Sequence, residues 1–550
     1  MPSPATHLRA PLLWLLVPLM AGLVAARLWS PPSCGLLPVA LAAGLAGVAA
    51  CGLALQDGRA AAVAWAGCLL VSTGLGGFIL LHARQPWLHL REERPPREVT
   101  VTMEVVQAYP PAPRARNLTG LGRITATGEF ERELTGRPIY FSAIRRISVA
   151  PVPSGRYLIR GVLETLPREP AKAGFDAYLA SLGIRQKLTR AHVIRETAPP
   201  GWFQRFGRRA MSRLETILQR GLAGHPQTAS LYLAMLLGER AVLSSEQQNA
   251  FMRSGTFHIF SISGLHVGVI AVALQAVLQL TRVPRRPAVL ASLLVLWVYV
   301  QITGGSSPAL RAFLMIAFLL ASRVFRLPGN ALAALAAAAL VTLLIDPAQL
   351  FSTGFQMSYT VVVALVVMGA PLGERWLARW QPFALLPRTD WRWPHTFINW
   401  SGRKLIGAGA ACWVAFLASA PSGIGYFQVL SPGSLGANLV IIPLSSLAII
   451  AGFLSLLTGL AGLSPWSVLF NSAAALTVMA MDWLLQHTTE WPGVYFPAHF
   501  TADWLAPASL VFMTGVMLAG AAGRWAGRYG GYWPPVLALA LIILLGVKFG

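Results

Sequence analysis

Three apolar runs open the chain, Pro11 to Leu28, Cys34 to Leu55 and Ala60 to His82, each close to the length of a membrane-spanning helix. The first follows a basic start and ends in small residues, as a secretory signal peptide does. Two more apolar runs follow almost at once, so the pattern predicts three spans with a retained N-terminus. From Ala83 to about Thr228 the pattern changes to short runs in which apolar and polar residues alternate, separated by Pro95-Pro96, Pro110-Pro111 and Pro199-Pro200. The runs Val99 to Val106, Gly122 to Phe130, Pro138 to Ile144, Tyr157 to Leu163 and Ile184 to Ile194 predict five strands, which suit a small barrel such as the OB-fold. Trp202 to Gly221 then places Phe203, Phe206, Ala210, Leu214, Ile217 and Leu218 on one helical face, with Arg205, Arg208, Arg209 and Arg220 elsewhere. A basic amphipathic helix of this kind suits the lipid interface, and equally a packed position on the barrel.

Apolar runs resume at about 256–280, 288–303, 309–322, 331–345, 354–371, 404–427, 435–459, 464–486, 506–522 and 534–548. The predicted fold class is therefore a polytopic α-helical membrane protein of about thirteen spans with an external OB-like β-barrel. Five segments follow: 1–82 as N-terminal spans, 83–200 as the barrel, 201–228 as the interface helix, 229–460 as a membrane core, and 461–550 as C-terminal spans. Composition agrees: of 550 residues 55% are hydrophobic and 12% charged, where a soluble chain carries about 25% charged residues. The four cysteines, Cys34, Cys51, Cys68 and Cys412, all lie in or beside apolar runs and offer no disulfide framework or zinc knuckle in the polar stretch.

A net charge of +23 calls for an anionic partner, although part of it sets orientation. With the N-terminus cytoplasmic, the loops placed inside carry Arg282, Arg285 and Arg286, Arg323 and Arg326, six basic residues from Arg375 to Lys404, and Arg524 and Arg528. The loops around Asp346, around Ser431 and from His487 to Trp504, placed outside, contain neither Lys nor Arg. The bias supports this sidedness, with 83–228 external.

Four polar segments interrupt the apolar runs, and buried polar groups in lipid are expensive unless they face water, protein or a partner. Gly255-Thr-Phe-His-Ile-Phe-Ser-Ile-Ser-Gly-Leu-His-Val-Gly268 supplies His258, Ser261, Ser263 and His266. On one helix the two histidines stand roughly 80° apart, which disfavours a shared metal; helix packing through the small residues is the plain alternative. Gly304-Gly-Ser-Ser-Pro-Ala-Leu-Arg-Ala312 supplies Arg311, which either snorkels to head groups or faces inward as a fixed cation for an anion. Gln356 and Ser358 stand in the segment Asp346 to Tyr359, and Asn438 in Ser431 to Pro443, where Gly433, Gly436 and Pro443 are expected to interrupt a helix. Together they describe a polar path almost without carboxylates, one that accepts anions. The external segment, with 24 Lys and Arg against 12 Asp and Glu between Arg84 and Arg220, interleaves Tyr109, Tyr140, Phe141 and Tyr157 with Arg145 and Arg146. This composition fits single-stranded nucleic acid bound by stacking and phosphate contact, or simply buried barrel aromatics.

The ordered phrases His258-Ile-Phe-Ser-Ile-Ser-Gly-Leu-His-Val-Gly268, Pro308-Ala-Leu-Arg-Ala312, Asp346-Pro with Gly354-Phe-Gln-Met-Ser358, and Asn438 with Pro443 resemble the ComEC competence protein family. Lys172 to Ile184 is similar to the end of that family's external OB-like domain. The resemblance implies an inner-membrane channel that carries single-stranded DNA into the cytoplasm during natural transformation, threading past His266, Arg311, Gln356 and Asn438. It implies single-stranded DNA and membrane lipids as partners, together with a periplasmic DNA receptor and a separate nuclease or cytosolic motor. Long members of the family add a metallo-β-lactamase-like domain after the spans. Here no His-x-His-x-Asp-His cluster is present, so no metal or other cofactor is expected and any nuclease is expected in another chain. Without a Gly-x-x-x-x-Gly-Lys-Ser/Thr loop the chain is not expected to power transport. Two rival readings stand beside the channel. One is a membrane-embedded hydrolase or transferase acting on a lipid-linked anion through Ser263 and His266, with Asp346 or Asp482 as the orienting carboxylate. The other is a family member that folds but no longer transports.

Overall fold

The computed structural model describes residues 10–29, 35–54, 56, 58–85, 95–109, 117–127, 134–144, 152–166, 175–181, 183–238, 243–260, 262–327, 329–489, 491–523, 525 and 531–549. Its contacts divide the chain into two compact units, residues 11–211 with 339–352, and residues 212–338 with 353–550.

The first unit opens with three apolar helices, α1 (Leu13–Leu28), α2 (Leu37–Leu53) and α3 (Arg59–Arg84). Helices α1 and α3 pack through glycines: a Cβ on Gly22 would lie 1.8 Å from the Gly74 carbonyl oxygen, and one on Gly77 2.5 Å from that of Leu19. Small residues let backbones approach where lipid supplies no hydrophobic drive. The Ser72 hydroxyl ties α3 to the Ala43 carbonyl of α2.

The alternating segment forms β1 (Arg97–Tyr109), β2 (Asn117–Thr127), β3 (Pro138–Ile144), β4 (Arg156–Thr165), the short α4 (Phe175–Ser181) and β5 (Gln186–Ala198). The five strands close in the order β1-β2-β3-β5-β4, with β3 and β5 parallel and every other pair antiparallel. This is the five-stranded barrel that the alternation predicts. Strand β2 starts five residues before the expected Gly122, because Gly120 and Gly122 give the alternation no apolar signal although both sit inside the ladder. A Cβ on Gly120 would stand 2.3 Å from the Gln107 carbonyl and 2.8 Å from the Phe141 ring, so glycine is what lets the barrel close there. Val101, Met103, Ile124, Ile139, Phe141, Tyr157, Ile159 and Leu188 fill the interior.

The second unit comprises the C-terminal part of α5 (Trp202–Leu218), then α6 (Pro226–Leu237), α7 (Ser245–Arg253), α8 (Gly264–Leu280), α9 (Arg285–Ile302), α10 (Ser307–Val324) and α11 (Ala331–Ile345), whose last turns belong to the first unit. It continues through α12 (Thr353–Ala364), α13 (Ala370–Arg379), α14 (Trp393–Ser422), α15 (Ser434–Leu460), α16 (Ser464–Thr488), α17 (Leu505–Ala522) and α18 (Pro534–Gly546). Five of these close a ring by pairwise packing: α8 on α10, α10 on α12, α12 on α14, α14 on α15, and α15 back on α8. Helices α6 and α16 brace α15, while α17 and α18 brace α14. Asn471 of α16 is fully buried; its amide donates to the Ile217 and Arg220 carbonyls that end α5, and its oxygen accepts from Tyr232.

The structure departs from the expected helix breaks. Helix α15 runs unbroken through Gly436 and Pro443, and Gly433 is its N-cap. Proline needs only one hydrogen bond to be forgone, which a braced membrane helix tolerates. The irregularities fall instead in π turns at Leu365–Gly369 and Gly423–Phe427, beside Pro371 and Pro421. A three-stranded sheet, β6 (Val429–Leu430), β7 (Phe496–Phe500) and β8 (Val547–Phe549), joins the loop after α14, the loop after α16 and the segment after α18. Among the described residues eight helices are long and apolar enough to cross a membrane, and five shorter apolar helices accompany them. The chain is thus a helical membrane protein with a small barrel, and length alone sustains eight of the thirteen expected spans.

Candidate functional site

The span expected from 256 to 280 is broken at its entry. Phe257–Phe260 form a single 3-10 turn and α8 begins at Gly264, so His258 and His266 stand on two elements and the 80° relation between them does not exist. Gly255, at φ +70°, makes the turn; a Cβ there would lie 2.8 Å from Ser434 at the start of α15. Ser263 is the N-cap of α8. Its backbone N–H donates to His266 Nδ1 at 3.3 Å, and its hydroxyl lies 3.1 Å from the same nitrogen. A backbone N–H can only donate, so Nδ1 accepts and the neutral ring carries its proton on Nε2. That Nε2 is buried and has no hydrogen-bond partner among the described residues. His258 is exposed. Ser261 lies outside the described residues.

Arg311, in the second turn of α10, is 1% exposed, the largest fully buried side chain among the described residues. It does not snorkel. Its Nη2 donates to the Gly354 carbonyl of α12 at 2.8 Å, while Nε and Nη1 have no hydrogen-bond partner among the described residues. Gly354 leaves the room, since a Cβ there would stand 3.3 Å from Nη2. A guanidinium held out of water costs several kcal/mol unless paired, and no carboxylate among the described residues lies within ion-pair reach of it.

Gln356 and Ser358 are half-buried in the first two turns of α12, and the Gln356 side-chain oxygen accepts the Tyr426 hydroxyl from the π turn after α14. Asn438, in the second turn of α15, has a buried Oδ1 without a hydrogen-bond partner among the described residues, and so do Ser306, before α10, and Ser422, at the end of α14, at their Oγ atoms. At 1.5 Å per residue, His266, Arg311, Gln356, Ser358 and Asn438 all lie within roughly 8 Å of the N-terminal ends of their helices. Ser422 closes the same end from α14, and the contacts Arg311–Gly354, Gln356–Tyr426 and Gly255–Ser434 join those ends. The ring thus carries one polar layer at one end. Farther along, its buried side chains are mostly apolar, among them Ile270, Leu274, Val367, Leu417, Ile449 and Phe453, with Thr360, Ser445 and Ser455 the polar exceptions among the described residues of that part. The polar residues expected to line a path are gathered at that one end of the ring, and most of the side chains buried farther along it are apolar. Ser306, Ser422 and Tyr426 were not singled out by the sequence; the Pro421-Ser-Gly-Ile-Gly-Tyr426 helix end was the available signal.

The barrel corrects the expected stacking residues. Phe141 and Tyr157 are 1% exposed core residues, and the Tyr157 hydroxyl accepts the Val152 N–H, so neither offers a face to a base. Barrel closure buries every second residue of β3 and β4, and these two fall on the inner set. Tyr140 packs edge-on against Phe175, 4.8 Å between centroids. Tyr109 is half-buried at the end of β1. Arg145 and Arg146 lie outside the described residues. On the outer surface Arg160 donates to Glu98 at 2.7 and 3.0 Å, a bond that holds the Glu98 carboxyl below its ordinary value. Arg156 lies 3.6 Å from Glu104. Arg185, Arg190 and Arg195 on or beside β5 are exposed and have no acidic partner among the described residues.

The polar layer and its ring fall within residues 235–525, the stretch matched by the family model described as competence protein. That match covers more than half of the chain. The chain belongs to the competence protein family. Within the family it is similar to ComE operon protein 3 of Bacillus subtilis (strain 168), 32% identical over 142 residues, which are 26% of this chain. The aligned stretch spans only 18% of that relative's length. No solved structure matches the chain. The family model takes in α8 to α17, and with them every polar-layer residue from His266 to Asn438.

Proposed function

We propose that the five-helix ring is the conduit through which single-stranded DNA crosses the bacterial inner membrane into the cytoplasm during natural transformation. The observation that carries this reading is Arg311, a buried cation whose Nε and Nη1 have no partner among the described residues, in a layer where His266 Nε2 and the Ser306 and Ser422 hydroxyls likewise have none there. Such a layer is complementary to a phosphate, which takes planar bidentate contacts from Arg and further bonds from neutral donors. His258, Ser261, Ser263, His266, Gln356, Ser358 and Asn438 complete the proposed lining. Residues 229–460 then form the conduit core and 461–550 its brace. In this reading the apolar side chains buried farther along the ring act as a closed gate, a dry constriction that blocks ions. Opening requires ring helices to shift, and π turns are common at such functional sites.

All thirteen apolar helices cross the membrane in this reading. The pairing of β7 with β8 supports it, since a chain that leaves that side through α17 has to return through α18. Strands β6 and β7 belong to loops that the charge bias places outside, together with the polar layer, and β8 pairs with β7, so in this reading the mouth faces the periplasm and the N-terminus the cytoplasm. Residues 83–200 are the external domain that receives the strand, with Arg185, Arg190 and Arg195 for phosphates. The N-terminal half of α5, where Trp202 and Phe206 are exposed beside Arg205, Arg208 and Arg209, rests in the lipid interface. A periplasmic DNA receptor, and a nuclease or cytosolic motor, complete the pathway in this reading.

The 3.1 Å approach of Ser263 to His266 is the observation that favours a hydrolase. Against it, His266 Nε2 meets no carboxylate among the described residues, Asp346 caps Ala348 and binds Gln349, and Asp482 binds Gln486. Ser263→Ala separates the two readings. The conduit predicts a loss of DNA uptake of at most about tenfold, because one neutral hydroxyl of the lining, contributing about 1 kcal/mol as a hydrogen-bonding group, is removed. A nucleophile predicts a loss of roughly a thousandfold or more, on the order seen when such a residue is removed.

A further inference from the structure

An open cleft of about 900 Å³ lies between α7, the end of α16 and the loop 491–497. Its volume is at the upper end of the range of small-molecule sites. It adjoins the polar layer: the Ser431 hydroxyl donates to the Arg253 carbonyl at 2.9 Å, and Gly433 N–H donates to the Val494 carbonyl at 2.9 Å, both at the head of α15. The lining is mixed in a specific way. Trp491 is 64% exposed and Tyr495 carries the Arg253 guanidinium 5.2 Å from its ring centroid. Glu246, Asn249 and Gln486 add an exposed carboxylate and two exposed amides.

We propose that this cleft is a base-binding entry site, in which one or two bases of the incoming single strand stack on Trp491 and Tyr495 beside the mouth of the ring. The identity of the ligand rests on the reading of the ring as a DNA conduit. Every base presents a π-face, so aromatic platforms bind single strands without regard to sequence. Arg253 stands where it can meet the adjoining phosphate while remaining over Tyr495. Asn249 pairs with base edges in either sense, Gln486, whose amide nitrogen donates to Asp482, accepts from them through its oxygen, and Glu246 accepts from exocyclic amines, a contact available to cytosine and absent from thymine. The site therefore holds any strand and holds cytosine-rich ones more firmly. Placed beside the mouth, it unstacks the leading bases before the backbone reaches Arg311.

The test uses the full chain in lipid nanodiscs with fluorescent oligo-dC and oligo-dT, each about 20 nucleotides long to exceed the span of one single-strand site. Trp491→Ala is expected to weaken binding of both about tenfold, Trp491→Phe to stay within about twofold of wild type, and Glu246→Gln to remove the preference for oligo-dC. Retention by the Phe variant separates stacking from a general disturbance of the loop. Trp491→Ala with wild-type affinity overturns the proposal, the ring then being an aromatic anchor at the membrane surface. Cytoplasmic DNA uptake is scored in the same strains with Arg311→Ala alongside. Loss of uptake in Arg311→Ala with unchanged Trp491→Ala binding overturns the cleft and leaves the conduit standing. A wild-type chain that binds neither oligonucleotide, with uptake unaffected by Arg311→Ala, overturns both.

Discussion

Arg311→Ala is expected to cut cytoplasmic entry of transforming DNA by about 100-fold or more while the protein stays in the membrane at its normal level. The guanidinium has two free donors, and a hydrogen bond to a charged group contributes roughly 1.5–3 kcal/mol, so losing both from a passing phosphate costs at least about 3 kcal/mol. Stability should move the other way. Among the described residues one hydrogen bond holds the buried cation, to Gly354, and replacing poorly paired buried charge by an apolar side chain is often neutral or stabilising. Arg311→Met is therefore expected to raise the thermal midpoint of the detergent-solubilised protein while abolishing uptake. A purely structural arginine would show the reverse, with a lower midpoint. Arg311→Lys keeps the charge but loses the planar fork, and an intermediate uptake separates bidentate phosphate contact from simple charge.

Gly120→Val carries the largest structural effect. The added Cβ meets the Gln107 carbonyl at 2.3 Å and the Phe141 ring at 2.8 Å, and the branched side chain extends farther into the same space. Overpacking against backbone, with no flexible side chain to yield, costs about 3 kcal/mol or more. In membranes, limited proteolysis of the variant should cut within residues 95–198 at protease concentrations that leave the wild type intact, with the fragments containing α8 to α18 unchanged. Uptake should fall with the barrel. A protease pattern equal to wild type contradicts the close approach of β1, β2 and β3 at Gly120.

The barrel was legible because alternation is a local signal that survives in each strand separately, and all five expected runs are strands. What it could not give was which aromatic points inward: Phe141 and Tyr157 read as stacking platforms next to arginines, and only the closure of the sheet assigns them to the core. Arg311 was legible because an arginine inside an apolar helix has few innocent explanations. Its pairing with Gly354, forty-three residues on, was not, since that contact depends on which helices neighbour one another in the ring. The break before α8 was hidden by the apolar residues Ile259, Phe260 and Ile262, which continue a helical pattern through a segment that is not one helix. Pro443 misled in the opposite sense, for neighbouring helices hold α15 straight. The cleft around Trp491 had no sequence signature at all: it assembles from α7, α16 and a loop nearly 250 residues from α7, and its tryptophan reads like any interfacial aromatic.

Carriage of DNA across the inner membrane by this chain is tested most directly by following labelled donor DNA in a strain that lacks it, scored separately at the cell surface, in the periplasm and in the cytoplasm. The conduit predicts that DNA reaches the periplasm in normal amounts and never enters the cytoplasm, with entry restored by the wild-type chain and not by Arg311→Ala. Unchanged cytoplasmic entry in the deletion strain contradicts it.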